Sequence, residues 1–187
     1  TVKDQAKVRF GTAHRPVARI RTAWLEHVLD QLEADPSIRR HLRVRANDLL
    51  VERGDDLILE HRASTAPGGA PVHVRVRATA PVTAALAAAN APITCGELAV
   101  TVAAACGATP AAVDRLLAQL VRQRLLVTEL RPSTTCTDPL AVLLNVLDRL
   151  PLEDTDSAPA GDVGAVELVD VLRSIVKQKQ EHDHAVS

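Results

Sequence analysis

The sequence predicts an α+β fold, and three observations carry the prediction. Between Leu42 and Arg77 apolar side chains alternate with polar ones at Leu42–Ala46 and again at His73–Arg77, the period of a half-buried strand, with the short apolar runs Leu49–Val51 and Leu57–Leu59 between them. From Pro81 to Arg124 they recur at helical spacing in three runs, separated by Asn90-Ala91-Pro92 and by Gly107, and an apolar strand from Leu125 to Glu129 closes the series. Strands first and three helices after, joined by short turns, is the order of a winged-helix-like domain, which we place at residues 39–130. Residues 1–38 flank it as a strand pair and an amphipathic helix. Residues 131–187 follow as a helix, an acidic linker and a C-terminal amphipathic helix.

Each element has a local reason. Val8-Arg9-Phe10 and Val17 to Ile20 read as short strands around Gly11-Thr12. Trp24, Leu25, Val28, Leu29 and Leu32 form a helical stripe that Asp35-Pro36 ends, with Trp24 expected as a core anchor. Leu42 to Val51, the turn Gly54-Asp55 and the return Leu57-Ile58-Leu59 read as a hairpin, and His73 to Arg77 as a third strand. Pro81 suits a first helical turn, Thr94 and Glu97 have capping-box spacing, Gly107 ends the second helix, and Thr109-Pro110 starts the third. Asp138-Pro139 opens a helix bearing Leu140, Leu143, Leu144 and Leu147. The stripe Val166, Val169, Leu172, Ile175 and Val176 must fold back or find a partner, because so large an apolar face is unstable in water.

Composition narrows the function classes. With one Trp, one Phe, no Tyr and no Met among 187 residues, the core is built from Ala, Val and Leu, which requires close backbone approach. Residues 1–62 hold 12 basic and 10 acidic side chains, residues 63–150 hold 7 and 5, and residues 151–187 hold 3 and 8. No segment is basic enough to make nucleic acid the default partner, and the close-set Arg39, Arg40, Arg43 and Arg45 read as a solvated face. Cys95, Cys106 and Cys136 have no Cys-x-x-Cys spacing, which suits a reducing cytoplasm. No apolar run reaches the ~18 residues of a membrane span, and no leader-like start is present.

The sequence holds no nucleophile elbow, no Gly-rich phosphate loop and no His-Glu-x-x-His pair, so no catalytic residue, cofactor or metal site is assigned. His182 and His184, two apart near the terminus, do not make a metal site by themselves, and Cys136 has no local base. Two binding readings remain open. The helix pair 94–107 and 109–124 has helix-turn-helix form, with Asp114, Arg115, Gln119, Arg122, Gln123 and Arg124 as its outward residues, which would make the chain a DNA-binding regulator. Alternatively, the strand His73 to Arg77, just before the helical trio, could accept an extended peptide as an added strand.

One stretch is more specific. Leu125 to Leu140 reads Leu-Leu-Val-Thr-Glu-Leu-Arg-Pro-Ser-Thr-Thr-Cys-Thr-Asp-Pro-Leu. It resembles a segment of the N-terminal, glutamylating half of lanthipeptide (lantibiotic) dehydratases, where a Leu-Arg-Pro-Pro turn is followed by Thr and Asp-Pro. The likeness extends to Gly11, His14-Arg15, Arg19 and Trp24-Leu25, to Leu42–Asn47, and to 75–91 and 93–98, so that nearly all of residues 7–176 can be laid along the family.

The resemblance implies a parent enzyme that transfers glutamate from glutamyl-tRNA to Ser or Thr of a ribosomal precursor peptide and then eliminates it. It also implies a winged-helix recognition element that binds the precursor's leader between its third strand and third helix. On this chain the groove falls at Val74, Arg75, Val76 and Arg77 facing Asp114, Leu117 and Val121. The family's Arg-rich segment with Thr-Pro-Phe-Gly, placed upstream of Val8, is not in the sequence, so leader binding rather than catalysis is expected of this chain alone. Glutamyl-tRNA would then engage only through other parts of the enzyme, supplied by the remainder of the dehydratase or a partner chain. Arg21 stands where the family commonly has Asp, and Ser133 where it has the second Pro. Neither a membrane nor specific DNA is an expected partner.

Overall fold

The computed structural model describes residues 20–62, 72–132, 135–151 and 165–185. The two expected strands before Ile20, and Ser133, lie outside them. Helix α1 (Thr22–Ala34) buries Leu25, Val28, Leu29 and Leu32. Trp24 is not the expected core anchor: it is 37% exposed. It sits about 100° around the helix from Leu25, at the edge of the stripe that the four buried residues define. Asp35 then caps the short α2 (Pro36–Arg39), accepting from the Ser37 backbone N–H at 2.8 Å.

Two small antiparallel sheets follow. Strand β1 (Arg43–Ala46) lies between β5 (Ile93–Thr94) and β6 (Leu126–Thr128), with Val44 opposite both Ile93 and Thr128. Strands β2 (Val51–Arg53), β3 (Asp56–Arg62) and β4 (Val72–Arg77) form a separate meander in that order. The expected hairpin arm from Leu42 to Val51 is therefore broken in two. Asn47 breaks it: its carbonyl accepts from Leu50 and its Oδ1 from Leu49, while its amide nitrogen donates to the Arg124 carbonyl at 2.8 Å. Gly54, at φ +61°, makes the turn between β2 and β3 that a side chain would strain.

Three helices succeed the meander, as the change of period predicts: α3 (Ala80–Ala88), α4 (Cys95–Cys106) and α5 (Pro110–Arg122). Thr94 and Glu97 form the capping box of α4, and Gly107 closes it in the left-handed region at φ +60°. At the entry of α4, Gly96 donates to the Arg40 carbonyl at 2.8 Å, an approach that a Cβ would crowd at 3.1 Å. The Ala-rich α3 packs closely on α4.

These elements enclose two cores. One joins Val44, Leu59, Val74, Leu98, Leu117 and Leu126 within the winged-helix-like unit. The other joins Leu29, Ile38, Leu42 and Leu130 to Leu143 of α6 (Pro139–Leu147) and Leu172 of α7 (Ala165–Ala185). The C-terminal stripe is thus satisfied by folding back, with Val169 and Leu172 buried against α6. Leu42 and Leu130 belong to the second core although they sit at the ends of the first unit.

Candidate peptide-binding site

Strand β4 is an edge strand. It pairs with β3 on one side, Leu57 opposite Val76 and Leu59 opposite Val74, and no strand among the described residues covers its other side. Alternation divides its side chains: Val74 is buried and Val76 half-buried, whereas Arg75 and Arg77 face solvent. Arg75 is not idle, since its guanidinium grips Asp56 on β3 with an Nε–Oδ2 distance of 2.8 Å. That hydrogen bond, aided by the Asp56 charge, raises the Arg75 pKa above its ordinary value.

On α5 the three expected residues part company. Leu117 and Val121 are fully buried in the same core as Val74, so a bound peptide would meet only the surface they support. Asp114 is exposed and engaged sideways, accepting from Arg39 of α2 at 3.3 Å. Helix α5 packs chiefly on α4, α1 and β6.

Sequence reasoning missed a polar cluster where α1 meets the end of α5. Glu26, Asp30 and Glu33 project from one side of α1. Arg124 reaches Asp30 at 2.5 Å and Glu33 at 3.0 Å, while Arg131 reaches Glu26 at 2.5 Å, Asp30 at 2.8 Å and Glu33 at 2.7 Å. Glu33, only 4% exposed, also accepts from the Thr128 hydroxyl at 2.6 Å. Burial works against the Arg131 charge, but hydrogen bonds and charge from Glu33 and Glu26 more than restore it, and its pKa rises. The available signal was the spacing of the three acids, four and three residues apart with no base on the same face. Arg131 is the arginine of the Leu-Arg-Pro turn, so that stretch fastens α1 to the winged-helix-like unit.

Beside the cluster, α1, α2 and α5 bound a cleft of about 750 Å³, lined by Arg39, Arg115, Gln119 and Arg122 among others. The same α5 residues were the outward face of the helix-turn-helix reading. With α1 packed on α5 and Arg39 holding Asp114, that face is flanked by two helices, which obstructs its entry into a major groove.

Other chemistry is sparse. Among the described residues no group of three His, Cys, Asp or Glu could hold a metal, and no helix is long and apolar enough to cross a membrane. The side chains of His182 and His184 lie outside the described set. Cys136 is half-buried, and the Asp138 carboxylate two residues on caps α6 through Ala141 at 3.2 Å and accepts from Lys179 of α7 at 3.1 Å.

The chain matches no curated protein. Among solved structures it is similar to the tRNA-dependent lantibiotic dehydratase MibB from Microbispora sp. 107891, at 31% identity and a TM-score of 0.77. The match covers 93% of this chain and 16% of that one, so the chain corresponds to a small part of its relative. The family model described as lantibiotic dehydratase, N terminus, matches residues 1–187, and with the winged-helix-like architecture this shows that the chain belongs to the lantibiotic dehydratase N-terminal family.

Proposed function

We propose that this chain is the part of a lanthipeptide dehydratase that holds the leader of a ribosomal precursor peptide, while Ser or Thr residues of the same peptide are glutamylated from glutamyl-tRNA elsewhere in the enzyme. The observation that supports this reading is the open edge of β4, directly before the helical trio. A leader added there gains a main-chain hydrogen-bond ladder with Val74 to Arg77, and α5 supplies the facing wall through Asp114 and the surface over Leu117 and Val121.

The test is titration of a labelled leader peptide encoded beside this chain. Backbone bonds dominate strand addition, so Arg77→Ala should weaken binding only a few-fold, whereas Val76→Pro alters the strand that would carry the ladder and should weaken it at least tenfold. Equal binding by a folded Val76→Pro variant would place the leader elsewhere. Incubated alone with glutamyl-tRNA and precursor, the chain should add no glutamyl mass.

A further inference from the structure

Helix α4 carries apolar side chains on both of its sides. The inward side is Cys95, Leu98 and Val102, buried in the core of the winged-helix-like unit. The outward side is Glu97, Val100, Thr101, Ala104 and Ala105, whose spacings of three and four keep them on one face, and all five are exposed. Val100 is 71% exposed, the most open of the large apolar side chains among the described residues. Glu97 turns its charge back onto its own helix start, accepting from the Thr94 backbone N–H at 3.2 Å and from the Thr94 hydroxyl at 2.7 Å. The neutrality extends along the chain: between Ala78 and Val113 Glu97 is the one charged residue, and α3, packed on α4, exposes Ala80, Thr83 and Ala87. An Ala-rich composition does not account for this. Helix α7 of the same chain buries Val169 and Leu172 and exposes Glu167, Asp170, Arg173 and Lys177, the ordinary division of a helix between core and water.

We propose that the outward face of α4 is a docking surface that packs against an uncharged face of the remaining dehydratase polypeptide, with Val100 inserted into it. A helix with apolar residues all round belongs in an interior, and in this chain α4 has an interior on one side. The enzyme holds the material for the other side: the match to the solved dehydratase covers 93% of this chain and 16% of that one, so most of the relative's polypeptide lies outside the matched part. Chemistry restricts the occupant further. The face offers no cation to a phosphate backbone and neither a basic nor an aromatic side chain to a bilayer surface. A charged group set against it would lose its water and gain no counter-charge, so the opposing surface is neutral. Ala104 and Ala105 leave room for close backbone approach, toward a helix spacing of about 8 Å. The inference rests on the family to which the chain belongs, and it uses no residue of the β4 edge, which it leaves open to a leader.

The test compares Val100→Cys and Ala104→Cys in this chain alone and in the complete dehydratase, with Val171→Cys, on the exposed side of α7, as the control. Each variant is alkylated with N-ethylmaleimide under native conditions, and fragment-ion mass spectrometry follows the new thiol separately from Cys95, Cys106 and Cys136. Both α4 variants should label readily in the isolated chain and at least tenfold more slowly in the complete enzyme, whereas Val171→Cys should label at one rate in both. Urea should abolish the difference. Equal labelling of the α4 variants in the two forms, or protection of all three variants alike, would overturn the proposal. So would labelling of the isolated chain that slows as its concentration rises, which would assign the face to a second copy. Leader titration of the isolated α4 variants should match that of the parent chain, which keeps this result separate from binding at β4.

Discussion

Glu33 and Arg131 stand 98 positions apart and meet through hydrogen bonds of 2.9 and 2.7 Å to the two oxygens of one nearly buried carboxylate. A buried carboxylate without its cations is costly, so this pair fixes α1 against the end of β6 rather than decorating a surface. Glu33→Ala removes the buried member of the cluster and its hydrogen bonds to Arg124, Arg131 and Thr128, leaving both arginines only the more exposed Asp30 and Glu26, and should destabilise the chain by about 3 kcal/mol. Arg53→Ala, which deletes the exposed pair with Glu60, should cost less than about 1 kcal/mol. Urea unfolding of the two variants checks the ratio, and equal midpoints would show the cluster to be energetically ordinary.

Arg124 adopts φ +67° just after α5, a conformation that favours glycine. An arginine tolerates it here because its side chain is held by Asp30 and Glu33. Arg124→Ala loses those bonds and keeps the backbone strain, whereas Arg124→Gly loses the bonds and relieves the strain. The glycine variant should be more stable than the alanine variant by about 1 kcal/mol, and thermal melts of the pair give the answer.

Burial tends to raise the Asp138 pKa, but hydrogen bonds from Lys179 and from the first turn of α6 outweigh it, and the net direction is downward. A depressed carboxylate stabilises the fold above its unfolded pKa and loses that contribution as pH falls through the folded value. Wild type should therefore exceed Asp138→Ala in stability at neutral pH, with the gap closing in acid below the ordinary carboxylate range. Denaturation midpoints over a pH series test the sign; a gap that widens in acid would contradict it.

Burial pushes the Cys95 thiol up to about 11, Arg39 opposing and Asp114 assisting. Only the thiolate alkylates, so at mildly alkaline pH Cys95 should react with iodoacetamide far more slowly than half-buried Cys136. Peptide mapping over time, native and in urea, should show that difference vanish on unfolding.

Much of the fold was legible because its signals are local. The capping box at Thr94 and Glu97, the stop at Gly107 and the helix start at Asp138-Pro139 depend on residues within one turn of each other. What escaped is non-local. Nothing in Leu42–Val51 announces that β1 pairs with Ile93 and Thr128 rather than turning onto β3, because the period of two is the same in either sheet. Trp24 differs from its expectation because it stands at the edge of the helical stripe, close in phase to Val28, and only Leu25, Val28, Leu29 and Leu32 turn fully into the core. At the candidate site, alternation in β4 identified which side chains face out, and Leu117 and Val121 lie in the core they share with Val74, but the engagement of Asp114 by Arg39 depends on α2, whose docking no local pattern encodes.

The two sheets also differ in how far apart in the chain their strands lie. In the meander, β2, β3 and β4 are consecutive, so each ladder forms by closing the connection to the next strand. The ladder of β1 must wait for residues 93–94 and 126–128, and Ala46 donates to the Ala89 carbonyl at 2.8 Å, so the chain departs and returns at one point. Closing longer loops costs more entropy and delays contact formation. In pulse-labelled hydrogen exchange during refolding, amides of Leu57 to Leu59 should therefore gain protection before those of Val44 and Ala46, and the reverse order would show that β1 nucleates the fold.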